Sequence, residues 1–231
     1  MKRSPFRRLT ATCAASAIIL VGALSAAPAT AATSALSSAD ESAMRDTWNA
    51  YGVSRATQDR LLEALEAGRS WDSLDGATPV TTTTGSNAGS TVTVDTFADG
   101  SIRVDTLQVP AHGPTRASIG SCKTLSSSHY DATIQCTVST NVVVSTAGYA
   151  VTYHQVQGGN SRINSVTPIT ASCYGGTCGS KSVTVNRKTQ IGSSPAYSTG
   201  RWKWTGINGA GSKDFWLEID VRGSSTWSAN N

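Results

Sequence analysis

The chain has 231 residues, of which 39% are hydrophobic and 15% charged, enough for one moderate domain with an appendage. Its formal charge of +4 comes from 19 basic and 15 acidic residues, but Lys2, Arg3, Arg7 and Arg8 supply four of the basic groups. Residues 32–231 are therefore neutral overall, which argues against nucleic acid as a partner.

The first 31 residues are predicted to be a secretory signal peptide. A cationic start precedes the apolar stretch Leu9–Ala27, and Ala29-Thr30-Ala31 supplies the small-x-small cleavage pattern. The apolar stretch is short and interrupted for a membrane anchor, and no later run approaches the ~20 apolar residues that a span needs. We expect a secreted, extracellular protein that begins near Ala32 and has no membrane contact after cleavage.

Four cysteines remain after the leader, and an even number fits disulfide bonding in an exported protein. Three pairings are open, and we favour the local one, Cys122 with Cys136 and Cys173 with Cys178. Closing a loop of about 15 residues contributes roughly 3 kcal/mol in the chain-entropy model. A zinc site is the alternative, but no Cys-x-x-Cys pair is present. We expect no metal and no cofactor.

The two halves of the mature chain differ in charge. Residues 32–106 carry 11 acidic and five basic side chains, whereas residues 107–231 carry four acidic and ten basic ones. The simpler interpretation is that the acidic half docks on the basic half. The alternative is a basic face for an anionic cell-wall polymer.

Residues 32–77 are predicted to form a helical hairpin. Met44 and Trp48 recur at helical spacing within Ser38–Ala50, and Ser54 can cap a second helix that Gly68 ends. The stretch from residue 51 to residue 80 resembles an N-terminal motif of secreted actinobacterial proteins of uncharacterised function. The resemblance is carried by Tyr51-Gly52-Val53, Thr57-Gln58, Leu61-Leu62, Leu65, Gly68, Trp71-Asp72-Ser73-Leu74, Gly76 and Pro79-Val80. It implies export and brings no catalytic residue.

Residues 78–90 are low in complexity and are predicted to be a Thr/Ser/Gly-rich linker. A hairpin over Thr91–Val109 should follow, with a three-residue loop that pairs Val94 with Val104 and sets Asp95 opposite Arg103 on its outer face. Calcium binding by the aspartates is the alternative, but they lack the spacing of a calcium loop.

Residues 91–231 are predicted to form a disulfide-bonded antiparallel β-sandwich. Apolar residues alternate through Ile134–Val138 and Tyr149–Tyr153, and Arg162–Cys173 and Lys181–Ile191 are further candidate strands. The fold class is thus mainly β, an antiparallel β-sandwich preceded by a short α-helical hairpin.

The last hairpin buries Phe215, Leu217, Ile219 and Val221 on one face, with Trp202 and Trp204 on the strand before it. We expect Trp204 near Phe215 and Trp202 near Leu217. This register sets Arg201 opposite Glu218 and Lys203 over Trp216.

Candidate catalytic groups are few. His112, His129 and His154 have no metal-site spacing, and Ser126–Ser128 with His129 and Asp131 lacks a nucleophile elbow. Glu218 and Asp220 alternate on one strand face and could form a carboxylate pair. We therefore expect no catalytic residue, although the chain could still be an enzyme.

The candidate binding surface consists of Tyr197, Trp216 and Trp227, whose rings could stack on sugars; packing in hairpin pairs is the alternative. The favoured function is a non-catalytic binding or interaction module outside the cell. Its partner would be a cell-wall polymer, a polysaccharide or a secreted protein. The alternatives are a small secreted hydrolase with a site assembled from distant residues, and an inhibitor that presents the Tyr174–Thr177 turn to an exported enzyme.

Overall fold

A computed structural model of the chain describes residues 35–87, 89–109, 122–127, 131–156, 158–223 and 225–230. The predicted signal peptide lies outside these residues. The described residues belong to one compact unit. The fold is mainly β, with antiparallel sheets and a few helices on the N-terminal side, as predicted.

The helical hairpin forms where the sequence predicts it. Helix α1 spans Ser38–Ala50 and helix α2 spans Arg55–Glu66, and the Ser54 side chain accepts the Thr57 N–H to cap α2. A single turn, α3 (Asp72–Asp75), follows. Trp48 of α1 and Trp71 pack with ring centroids 5.4 Å apart, and both rings are buried. Together with Leu61, Leu62 and Leu65 of α2, these two tryptophans form the hairpin's own apolar face.

The larger sheet has eight antiparallel strands. Six follow in the order β1-β2-β3-β5-β6-β7, while β4 pairs with β5 and β8 pairs with β6. Their bounds are β1 Thr81–Asn87, β2 Ser90–Thr96, β3 Ile102–Gln108, β4 Lys123–Ser127, β5 Asp131–Asn141, β6 Ser145–Val156, β7 Arg162–Val166 and β8 Thr170–Cys173.

The segment predicted as a linker contains the edge strand β1. All seven residues of β1 are exposed, and they pair in register with β2 from Thr81 opposite Thr96 to Asn87 opposite Ser90. Threonine suits an extended backbone because it is β-branched. A strand that buries neither face has no alternation of apolar and polar residues, so the sequence pattern does not predict β1.

The β2–β3 hairpin has the predicted register, with Val94 opposite Val104 and Asp95 opposite Arg103. Gly100 has φ +84° in the three-residue loop, as the bulge requires. The ion pair between Asp95 and Arg103 is 2.7 Å long, but Asp95 is buried rather than on an outer surface. The reason is that this hairpin face turns toward the second sheet, where Asn230 donates to Asp105.

The second sheet has four antiparallel strands in the order β12-β11-β10-β9. They are β9 Gly176–Arg187, β10 Ala196–Gly206, β11 Ser212–Arg222 and β12 Ser225–Asn230. The predicted register of β10 on β11 is wrong by two residues, because Trp202 pairs with Phe215 and Arg201 pairs with Trp216. The connection between β10 and β11 turns at Asn208 and Gly209, which both have positive φ. The expected register would place the centre of this turn one residue later in the chain.

One hydrophobic cluster includes inward side chains of both sheets and of the helices. Trp202 and Trp204 are buried in it, as expected. The Tyr149 hydroxyl of the larger sheet donates to the Ser198 carbonyl of the smaller one over 2.8 Å, and burial raises the pKa of Tyr149 to about 12. The Trp202 indole donates to Ser145 Oγ over 2.9 Å. Polar groups as well as apolar packing therefore join the sheets.

Both disulfides follow the local pairing. Cys122–Cys136 ties the start of β4 to β5 within the larger sheet, and Cys173–Cys178 links β8 to β9, hence one sheet to the other. Cys136 is fully buried. The two bonds therefore brace the core.

The helices pack against turns at one end of the two sheets. Arg60 donates to the Asp99 carbonyl of the β2–β3 turn, and Asn208 of the β10–β11 connection donates to the Glu66 carbonyl. The Gly175 N–H of the β8–β9 turn donates to Asp40 over 3.2 Å. Contacts from three separate turns therefore fix the hairpin on this end.

Candidate binding face

The outer face of the four-stranded sheet, here called the aromatic face, brings Tyr197, Trp216 and Trp227 together. Along β11 the core residues Leu217, Ile219 and Val221 are fully buried, so the residues between them point outward. Cross-strand pairs share a face, and Asp220 of β11 lies directly opposite both Tyr197 of β10 and Trp227 of β12. The candidate binding residues therefore lie on one surface.

A row of four side chains crosses this face from β9 to β12: Arg187, Tyr197, Asp220 and Trp227. The Arg187 guanidinium lies 5.1 Å from the centroid of the Tyr197 ring, and Arg222 lies 5.5 Å from the Trp227 ring. Cations at this range are attracted by the ring quadrupole. Each aromatic ring of the row is thus held by an arginine.

The two arginines are themselves anchored to one loop. Arg187 Nη1 donates to the Pro195 carbonyl over 2.9 Å, and Arg222 Nη1 donates to the Ser193 carbonyl over 3.1 Å. Such charge-assisted bonds restrict the guanidinium groups, and through them the rings that they contact. The row is therefore preorganised before any ligand arrives.

Asp220 is 6% exposed although it points outward, because the rings of Tyr197 and Trp227 flank it. Burial, and then repulsion by Glu218, raises the pKa of Asp220 to about 6, with Arg187 partly opposing the rise. Glu218 accepts a 2.9 Å hydrogen bond from Thr199 rather than facing Arg201 as expected. A perturbed carboxyl group of this kind marks a candidate functional site.

Trp216 lies farther along β11 on the same face. The structure places Arg201 directly opposite it, whereas Lys203 pairs with Asp214. The expected position of Lys203 over Trp216 is therefore wrong, because it assumed a register of β10 on β11 that differs by two residues from the observed one. A cation still neighbours the indole, because Arg201 lies opposite Trp216.

The outer face of the eight-stranded sheet carries a concavity, here called the hydroxyl groove. Its volume is about 410 Å³, and small side chains line it, among them Thr137, Ser139, Gly148, Thr167 and Thr170. A side chain at Gly148 would come within 3.0 Å of the Ser139 Cβ, so the floor stays bare. The lining includes one ionisable residue, Tyr149, whose hydroxyl donates to the Ser198 carbonyl of the other sheet.

Of the three histidines considered as catalytic or metal-binding groups, the structure describes His154. His154 is half-buried on β6, where its Nδ1 lies 3.2 Å from Thr133 Oγ1. His112 and His129, like Ser128, lie outside the described residues. Within the described ranges, no three His, Cys, Asp or Glu side chains are grouped to hold a metal ion.

The Tyr174–Thr177 turn does not project as an inhibitory loop would. The Tyr174 N–H donates to the Val144 carbonyl over 2.8 Å, and the Trp204 indole donates to the Tyr174 carbonyl over 3.1 Å. Gly175 contacts α1 through Asp40. The disulfide-closed turn is therefore packed into the body of the protein.

Comparison with models of protein families, with curated proteins and with solved structures found no match. In the part of the chain that the structure describes, none of the helices has the length and apolar character needed to cross a bilayer.

Proposed function

We propose that this protein is secreted and binds polysaccharide, without catalysis, on the aromatic face. In this proposal the two sheets form a β-sandwich whose buried core makes the outer face a rigid platform. Two disulfides support an oxidising, extracellular location, since thiols stay reduced in the cytosol.

The observation that carries the proposal is the shared placement of Tyr197, Trp216 and Trp227 on an outward sheet face. Trp227 is 36% exposed, so its ring is accessible to a ligand on this face. Tyr197 and Trp227 lie two strand spacings apart, about 10 Å, so an extended glycan chain crossing the strands can stack on both. Charged and hydroxyl side chains between the rings supply partners for sugar hydroxyl groups.

Binding to insoluble polysaccharides tests the proposal. The mature chain should co-sediment with at least one of chitin, cellulose or purified bacterial cell wall, and Trp227→Ala should reduce the bound fraction at least about tenfold, as for a buried hot-spot residue. High salt should change the binding little, because stacking rather than net charge drives it.

Leu125→Ala is the matched control, since it also removes a large exposed apolar side chain, but from β4 of the other sheet. It should sediment like the unmodified chain. If no polysaccharide retains the protein, or if Leu125→Ala and Trp227→Ala lower binding equally, the aromatic face is not a glycan platform.

A further inference from the structure

Strand β1 is a free edge of the eight-stranded sheet. It lies at the end of the strand order, and within the described residues β2 is its only partner. All seven of its residues are exposed, and the pairing with β2 runs through them without a register shift. One side of β1 therefore presents backbone N–H and C=O groups that no neighbouring strand satisfies.

The sequence of β1 contains none of the features that usually protect such an edge. Charged side chains, proline and β-bulges keep the edges of natural sheets from pairing with other chains. Thr81–Asn87 holds four threonines, a glycine, a serine and an asparagine, so it is uncharged and has no proline. Its exposed, regular and extended backbone therefore needs protection of another kind.

A second copy of the chain does not supply a stable cover. Two β1 strands would meet along a strip about 23 Å long and one strand wide, because each residue adds about 3.3 Å. Such a strip buries far less than the ~1,000 Å² of a specific interface, and its threonine and serine side chains add little apolar area. A hydrophilic group attached to the strand itself protects the edge at any protein concentration.

Two of the four threonines have hydroxyl groups that are engaged within the sheet. The Thr82 hydroxyl donates to Asp95 over 2.6 Å, and Thr84 Oγ1 lies 3.3 Å from Thr93 Oγ1. Thr82 is paired with Asp95 and Thr84 with Thr93 in the register, so both contacts lie on one face of the sheet. A sugar on either oxygen would disturb a contact between β1 and β2.

Thr81 and Thr83 lie on the opposite face, and among the described residues their hydroxyl groups have no hydrogen-bond partner. Both residues are exposed. An enzyme that modifies a hydroxyl group must bind the chain around it, and an extended edge strand offers free backbone groups beside the side chain. Pro79 precedes the run, and threonine-rich segments with proline are typical of O-linked glycosylation.

We propose that Thr81 and Thr83 carry O-linked sugars, which a separate glycosyltransferase adds from an activated sugar-phosphate donor. The threonine Oγ forms a bond to the anomeric carbon, and the bond from that carbon to the donor phosphate breaks. The hydroxyl proton passes to a base of the transferase and the phosphate leaves with the electron pair, so nothing is oxidised or reduced. The inference relies on the proposed export and is independent of polysaccharide binding by the aromatic face.

Intact mass spectrometry of the reduced chain tests the inference. Protein purified from the medium of the organism that produces it should exceed the mass of the mature sequence by whole monosaccharide units, and electron-transfer fragmentation should place them on Thr81 and Thr83. Thr81→Val combined with Thr83→Val should lose the added mass, since valine keeps the β-branched shape without the hydroxyl group. Thr82→Val combined with Thr84→Val is the matched control on the same exposed strand and should keep the added mass.

An unmodified mass overturns the inference, as do sugars found only on Thr82 and Thr84 or on other segments, and additions of phosphate alone. If the unmodified chain is a dimer in sedimentation velocity and Thr83→Lys makes it monomeric, a second copy covers the edge instead. A chain that is absent from the medium overturns the proposed export and this inference together. Sugars on Thr81 and Thr83 of a chain that binds no polysaccharide support this inference and overturn only the binding proposal.

Discussion

The outer faces of the two sheets are built on the same pleated backbone and carry opposite kinds of side chain. The hydroxyl groove is lined by Thr137, Ser139 and Gly148, which are small and uncharged. The aromatic face holds an indole ring that is 36% exposed and the carboxyl group of Asp220, whose pKa is raised to about 6 by burial and then by Glu218.

The difference matters because the two sets of residues affect stability differently. Threonine and serine on an open strand satisfy their hydroxyl groups with water and favour the extended backbone. A carboxylate whose pKa is raised by folding lowers the stability of the fold while it is ionised, and an exposed indole loses the gain from burial. Residues that cost stability and still lie together are best explained by binding, and the hydroxyl groove needs no such explanation.

The largest expected effect concerns the core that both faces share. Tyr149→Phe keeps the ring but removes the hydroxyl that donates to the Ser198 carbonyl across the sheets. The buried acceptor is left unsatisfied, so the free energy of unfolding should fall by about 1–3 kcal/mol in urea denaturation. Tyr51→Phe is the matched control, because that ring is 41% exposed on the helical hairpin, and it should change stability by less than about 0.5 kcal/mol.

Tyr149→Phe also tests whether the two faces are supported by one cooperative unit. A single unfolding transition, with glycan binding retained until that transition, is the expected behaviour. Two transitions, with the aromatic face persisting after the other sheet has unfolded, would show that the faces belong to separate units.

The second effect is a gain in stability at the aromatic face. In the unfolded chain Asp220 ionises near its ordinary pKa of 3.8, whereas in the folded protein its pKa is about 6. Ionised Asp220 therefore destabilises the fold, fully above pH 6 and progressively less toward pH 4. Asp220→Asn should raise the free energy of unfolding by roughly 2 kcal/mol at pH 7.5 and by almost nothing at pH 4.

Asp46→Asn is the matched control for charge removal, since Asp46 is exposed on α1. It should move the free energy of unfolding by less than about 0.5 kcal/mol at either pH. An Asp220→Asn variant that is less stable at pH 7.5 than the unmodified chain would mean that the carboxylate is satisfied in place, and the contrast between the two faces would be lost.

Part of this contrast could be predicted from the sequence. The register of the β2–β3 hairpin is predictable because a two-residue loop would set Val94 opposite Asp105 and mix the faces, whereas a three-residue loop keeps Val94 opposite Val104. On β10 and β11 the same method found which residues face outward and failed on the register. A slip of two residues leaves every side chain on its face, so alternation cannot detect it.

Two other features left no usable signal in the sequence. The run Val142–Val144 is apolar and β-branched, yet it forms the buried turn between β5 and β6, where Val143 has φ +69°. The Asn141 side chain accepts the Val143 N–H over 2.8 Å and holds this conformation. The sequence pattern indicates Asp220 only as half of a carboxylate pair, because its burial depends on neighbours contributed by β10 and β12.

The smallest effect is expected at the hydroxyl groove. A methyl group at Gly148 would lie 2.9 Å from the Val138 carbonyl oxygen and 3.0 Å from the Ser139 Cβ, so neighbouring strands must shift by a few tenths of an ångström. Gly148→Ala should therefore lower the free energy of unfolding by about 1 kcal/mol, the low end of overpacking costs. Gly85→Ala on β1, where the added methyl group meets nothing, is the control and should change stability less. Because the groove is assigned no ligand, Gly148→Ala should leave polysaccharide sedimentation unchanged, and a tenfold loss of binding in that variant would move the binding site from the aromatic face to the hydroxyl groove.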